Sequence, residues 1–243
     1  MSRCDLIISS QGWPPPWPLL VEISHQTARE AWTLVGGLMV QIHTYLAGLA
    51  PIRVTTDVDL LLNLMVQGVS VARVAAELSS LGFTPQEPAW PDAPFHRLRR
   101  GDDVIDVLVP DHLPQHVRPR LLRRAVMPIE GGAQALERTM EVDLVSDGAR
   151  STVTIPDLLG ALILKAAAAI SDTRDPERHE RDAAILAALI TDHATQRLRL
   201  RGSDRRRLLG LAVRLTDPYN PAWLGLPEGM AVRGQDTLRI LTA

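Results

Sequence analysis

Along this chain the apolar residues shift between short runs and helical spacing, and the shifts mark out its elements. Aliphatic runs at 32–35, 57–63, 95–99 and 104–109 predict strands. Helices are expected over 24–31 and 38–46, the second ended by Gly48 and Pro51, and over "VSVARVAAELSSLGF", where Gly82 reads as a C-cap. Further short strands are expected at 133–138, 142–145 and 152–155. After Pro156, a residue type favoured at the first helical position, the pattern turns wholly helical over 157–170, 177–193 and 203–215. The alternation predicts an α/β (α+β) domain over 21–156 and a C-terminal helical domain over 157–243. Residues 1–20 end in the proline-rich "GWPPPWP" and are expected to form an extended arm.

Composition changes this picture in few places. The 243 residues are nearly half hydrophobic, enough for a sizeable core. The longest uncharged apolar stretches, such as 158–164, fall well short of the roughly 20 residues that span a bilayer, so a soluble protein without a membrane partner is expected. A single cysteine, Cys4, and a first segment unlike a secretory signal point to the reducing cytoplasm. The net charge of −2 decides nothing about nucleic acid, because a binding face is a local property. Arginines cluster at 97–100, 118–124 and 197–207, where a solvated face is the ordinary explanation.

The chemistry concentrates in three aspartates. Side chains alternate along a strand, so Asp57 and Asp59 share one face while Val58 and Leu60 share the other. Two like charges on an apolar strand need a compensating cation or exposure at the strand's end. Asp106 interrupts "VIDVLV" in the same manner. Three carboxylates on two strands of one predicted sheet can hold one or two hard divalent cations through oxygen. The spacing does not fit a calcium loop. Gly36 and Gly37 lie between a predicted strand and a predicted helix, where a backbone without Cβ lets a phosphate approach the first amides.

Lys165 is the only lysine, against 25 arginines, and the sole charge in the apolar helix around it. A buried ammonium is costly unless it meets an anion; the alternative is that it snorkels to the surface. Arg181 and Asp182 on the next helix can be surface charges or face the site. His112 and His116 are separated by Pro114, which favours a loop. No Ser-His-Asp or Cys-His arrangement is evident.

These residues resemble the nucleotidyltransferase superfamily that includes DNA polymerase beta, and within it the AbiEii-like toxins of type IV toxin–antitoxin systems. The matching elements are Gly36-Gly37, "RVTTDVDL" at 53–60, "VIDVLVPD" at 104–111, "LILKAAAA" at 162–169 and the Arg181-Asp182 pair. The resemblance implies a mixed sheet flanked by helices and a Mg²⁺- or Mn²⁺-dependent transfer of a nucleoside monophosphate from a nucleoside triphosphate (NTP). In that scheme Asp57, Asp59 and Asp106 bind the metal ions. Asp106 also assists deprotonation of the incoming hydroxyl. Gly36, Gly37, Arg53 and Asp182 belong to the nucleotide site, and Lys165 neutralises the triphosphate. It further implies tRNA as acceptor through its 3′ end, growth inhibition as outcome and a DNA-binding antitoxin as partner.

Three rivals are set beside this reading. A nucleotidyltransferase acting on an aminoglycoside expects an acidic pocket, against which the arginine clusters weigh. Glycosyl transfer from a nucleotide sugar also uses Asp-x-Asp with a metal, but leaves Asp106 and Lys165 without roles. A non-catalytic relative that binds nucleotide or RNA would not need all three aspartates and the lysine.

Overall fold

The computed structural model describes residues 3–7, 14–88, 90, 92–146 and 149–243. The chain forms two compact units, residues 1–39 with 54–156 and residues 40–53 with 157–243. Residues 40–53, assigned by their sequence to the α/β domain, thus belong to the helical unit.

The first unit contains, in chain order, β1 (Arg3–Ile7), α1 (Trp17–Gln26), β2 (Trp32–Val35), the start of α2 (Gly36–Leu46), β3 (Asp57–Leu62), α3 (Val71–Ser80), β4 (Thr84–Pro85), β5 (Arg97–Arg100) and β6 (Asp103–Pro110). It continues with β7 (Arg120–Leu121), β8 (Arg124–Ala125), β9 (Pro128–Ile129), α4 (Gly132–Glu137), β10 (Thr139–Ser146) and β11 (Ala149–Pro156). The main sheet runs β2-β3-β6-β5-β4, with β9 pairing on the end of β6. Its β3–β6 pair is parallel and its β2–β3, β6–β5 and β5–β4 pairs are antiparallel, so the sheet is mixed. A second sheet runs β1-β10-β11. The central strands β3 and β6 are aliphatic because both faces are covered: Val58, Leu60, Leu61, Ile105 and Val107 are all buried.

The fold is α/β, as the alternation of elements predicts, but some elements differ. In the expected arm, residues 3–7 form β1, which pairs parallel to β10 and is tied down by Arg3, whose Nε and Nη2 donate to Asp143 at 2.7 and 2.9 Å. Helix α1 starts at Trp17, inside the same segment, because Pro18 sits in the first turn, where a missing N–H costs no hydrogen bond. Residues 8–13 of the expected arm lie outside the described residues. The expected helix at 24–31 is instead the end of α1 followed by a 3-10 turn at Arg29–Ala31. The expected strand at 133–138 is helix α4. Its first amides are satisfied from a distance, with Gly131 N–H and Ala133 N–H donating to the Asp111 carboxylate at 2.8 and 2.9 Å. No local pattern announces that cap.

The second unit is built of the rest of α2 and of α5 (Leu158–Ser171), α6 (Pro176–Leu189), α7 (His193–Leu198), α8 (Asp204–Arg214), α9 (Pro221–Leu224) and α10 (Met230–Thr242). Asp157 caps α5 by accepting from Gly160 N–H at 3.0 Å, and Asp175 and Asp192 cap α6 and α7 in the same way. Helix α5 is apolar nearly all round because it is nearly all buried, with Leu159 to Ala167 each inaccessible or almost so. Small residues allow close packing: a Cβ on Gly210 would meet Ile170 of α5 at 2.5 Å, and one on Gly234 would meet Trp223 of α9 at 2.6 Å. Among the described residues no helix is long and apolar enough to cross a membrane.

Candidate functional site

Register places the three aspartates. Asp59 and Asp106 are direct partners across the parallel β3–β6 pair, and Asp57 lies two residues earlier on the same face of β3. One carboxylate oxygen from each of the three lies within 4.8 Å of the others, with Asp57 and Asp59 half-buried and Asp106 buried. The Asp57 carboxylate is also oriented locally, accepting a hydrogen bond from Thr55 Oγ1 at 2.9 Å.

The same row of the sheet extends to both sides. On one side Val35 of β2 pairs with Asp59, and the chain turns at once into α2 through Gly36, which takes φ +70°. A Cβ at Gly36 would stand 1.7 Å from Asp59 Oδ2. Glycine is therefore required here by the carboxylate itself, and the approach of a phosphate is not needed to explain it. Gly37 is buried in the first turn of α2.

On the other side Arg97 of β5 is the direct antiparallel partner of Asp106. Its Nε and Nη2 donate to the two Asp106 oxygens at 2.8 and 2.7 Å, a two-pronged ion pair, and Nη2 lies 3.8 Å from Asp57 Oδ2. The hydrogen bond to Asp106 raises the guanidinium's pKa over the opposing effect of burial, with further attraction from Asp57 and Asp59. The sequence lists Arg97 only as one of a cluster. The available signal was its place on a strand beside β6, which cannot be used without the register.

The donor set suits a hard divalent cation: three carboxylates, all oxygen, converging from adjacent strands. Arg97 stands in for part of that positive charge. A carboxylate oxygen has two lone pairs, so Asp106 can accept from Arg97 and still offer oxygen to an ion.

The other expected site residues come together in the second unit. Lys165 is 3% exposed and its Nζ lies 2.8 Å from Asp182 Oδ2, while Arg53 grips the same carboxylate through Nε at 2.7 Å and Nη2 at 2.8 Å. Asp182 is completely buried, so the surface alternative for it is excluded. Burial pushes its carboxyl up, but Lys165 and Arg53 together outweigh burial and hold it below the ordinary carboxylate range. The anion that the buried ammonium requires is thus supplied by the chain. Lys165 does not snorkel, and its burial alone does not call for a triphosphate.

His179 lies one turn before Asp182 on α6, and no motif in the sequence singles it out. It is 9% exposed, its Nε2 lies 3.2 Å from Asp172 Oδ2, and its Nδ1 has no partner among the described residues. Burial, with repulsion from Lys165 and Arg178, lowers the imidazole to about 4 despite Asp172. Between that value and an unfolded value near 6.5, the unfolded chain binds more protons. Stability should therefore fall as pH drops from about 6.5 to about 4, by up to ~3 kcal/mol. Urea unfolding at pH 7.5 and pH 5 checks this: the wild-type midpoint should drop at the lower pH, and His179→Gln should shrink the drop. An unchanged drop in the variant would place its origin elsewhere.

Comparison with family models gives no match, and comparison with curated proteins gives none either. Among solved structures the chain is similar to the crystal structure of an antigenic nucleotidyltransferase-like protein from Paracoccidioides brasiliensis, with 14% sequence identity and a TM-score of 0.45. The match covers 76% of this chain and 81% of that one.

Proposed function

We propose that the protein is a metal-dependent nucleotidyltransferase that moves a nucleoside monophosphate from an NTP to an acceptor hydroxyl and releases pyrophosphate. The observation that carries the proposal is the convergence of Asp57, Asp59 and Asp106 from in-register adjacent strands to within 4.8 Å. Mg²⁺ or Mn²⁺, when bound, stabilises the attacking and leaving oxygens of an in-line displacement at phosphorus. Asp57 and Asp59 hold the ions, with Thr55 fixing the Asp57 carboxylate. Asp106 supplies the third oxygen ligand and accepts the proton of the acceptor hydroxyl. Gly36 keeps space for the Asp59 carboxylate, and the first amides of α2 are contacts for a phosphate.

Lys165 and Arg53 are further proposed as triphosphate contacts on the ground of their positive charge, with Asp182 as the residue that positions them. The finer reading remains the AbiEii-like one: the 3′ end of tRNA as acceptor, toxin-type growth inhibition, a cytoplasmic setting and a DNA-binding antitoxin as partner. Exposed Arg118, Arg120 and Arg123, and Arg197, Arg201, Arg205 and Arg206, support a polyanionic acceptor. A second reading, nucleotide or RNA binding without turnover, is favoured by one observation: Arg97 engages both oxygens of Asp106.

Purified protein incubated with each labelled NTP, Mg²⁺ and total tRNA separates these readings. Label on RNA that is lost at least ~1,000-fold in Asp59→Ala would establish the transfer and name the base; a loss of that size corresponds to about 4 kcal/mol of transition-state stabilisation. No label with any of the four would sink the tRNA reading. Metal-dependent NTP binding without label would then favour a small acceptor such as an aminoglycoside, and metal-independent binding would favour the non-catalytic relative.

A further inference from the structure

Arg97 stands at the end of the row Asp59, Asp106, Arg97 across β3, β6 and β5. It is a cationic side chain placed against the carboxylate cluster. Its two-pronged bond takes the most buried of the three aspartates, and its Nη2 also approaches Asp57. A divalent ion drawn to the same oxygens meets a fixed positive charge a few ångström away, and the two repel. The Arg97 side chain is 32% exposed and that of Asp106 is 10% exposed, so the arginine forms the solvent side of the pair.

We propose that Arg97 is a built-in partial substitute for the metal, offsetting one of the three negative charges of Asp57, Asp59 and Asp106 in the ion-free protein and competing electrostatically with the divalent cation at Asp106. Ion-free, the arginine's single charge offsets part of the repulsion among the three carboxylates on the β3–β6 pair. Ion-bound, the arginine and the cation share the Asp106 oxygens through different lone pairs, and their like charges repel across them. The site is thereby set to load at a higher metal concentration than its three carboxylates alone would need. This proposal rests on the metal-site reading above and deepens it.

Mn²⁺ titration of the whole chain, followed by calorimetry and by the loss of the free-ion paramagnetic resonance signal, tests both without any activity measurement. Arg97→Ala and Arg97→Gln are each compared with wild type, Arg97→Gln retaining a hydrogen-bond donor in case the alanine variant folds poorly. Both should bind Mn²⁺ on the order of tenfold more tightly, as expected for removal of a unit charge close to a divalent ion. Both should also melt at a lower temperature than wild type in chelator and recover most of the difference when Mn²⁺ is added, which a purely structural arginine would not show. Wild-type binding that Asp59→Asn abolishes, combined with equal or weaker binding by both Arg97 variants, would overturn the competition while leaving the metal site standing. No Mn²⁺ binding by wild type or by either Arg97 variant would overturn the metal-site reading and the competition together.

Discussion

Asp182→Ala should destabilise the protein by about 3–5 kcal/mol, the cost of removing one member of a buried charge group and leaving the Lys165 ammonium uncompensated. The carboxylate is fully buried, and both Lys165 and Arg53 point their charge at it from 2.7–2.8 Å. Nothing else described replaces it for Lys165, whose helix is apolar along its length. Chemical unfolding followed by helical circular dichroism would measure the loss. The double variant Asp182→Asn/Lys165→Met should be less damaged than Asp182→Asn alone, because it removes one of the stranded cations along with the anion. Equal damage in the two would mean that shape, and not charge, sets the cost.

The pH response follows from the same carboxylate with a definite sign. Its folded pKa lies below the ordinary carboxylate value, so its contribution is complete above about pH 4 and is lost as pH falls through the folded value. Asp143, held down by its hydrogen bond from Arg3 against burial and aided by Thr152 and Arg150, acts in the same direction. The acid limb should therefore be steep, and Asp182→Asn should flatten the part of it that belongs to the helical unit.

Gly36→Ala should disable the carboxylate cluster without replacing any charged residue. The added Cβ would fall 1.7 Å from Asp59 Oδ2 and 2.4 Å from its Cγ, distances at which Asp59 must turn away or β2 and β3 must part. The positive φ adds roughly 1–2 kcal/mol of backbone strain for an L side chain. Gly48→Ala provides the control, since Gly48 takes φ +73° with no atom within 4 Å of a Cβ. The control should show the strain alone. Gly36→Ala should in addition weaken Mn²⁺ binding by about 10- to 100-fold, the range typical of changes to residues that support metal ligands. Mn²⁺ affinity equal in the two variants would show that Asp59 adapts, and the glycine would then need another explanation.

The carboxylates were legible in the sequence because strands alternate faces: an aspartate in an aliphatic run is costly to bury, and two of them at i and i+2 must share a side. Lys165 was legible for the same reason, as a lone charge in a helix too apolar to be exposed. The strands β2, β3 and β6 and helices α3, α5 and α6 followed from short-range periodicity, which the local backbone enforces. What the sequence could not supply was pairing between distant positions. The register that seats Arg97 opposite Asp106 depends on how β5 and β6 lie together, and an arginine at 97 looks the same in the sequence whether it meets water or a carboxylate. Asp111 capping α4 and Arg53 joining Lys165 on Asp182 are likewise contacts across 20 and 129 residues of chain. The sequence by itself determined which groups are too expensive to bury alone. Tertiary structure alone decided their partners, because a charge inside a protein is satisfied by whatever the packed chain brings within about 3 Å, and that neighbour is rarely nearby in the sequence.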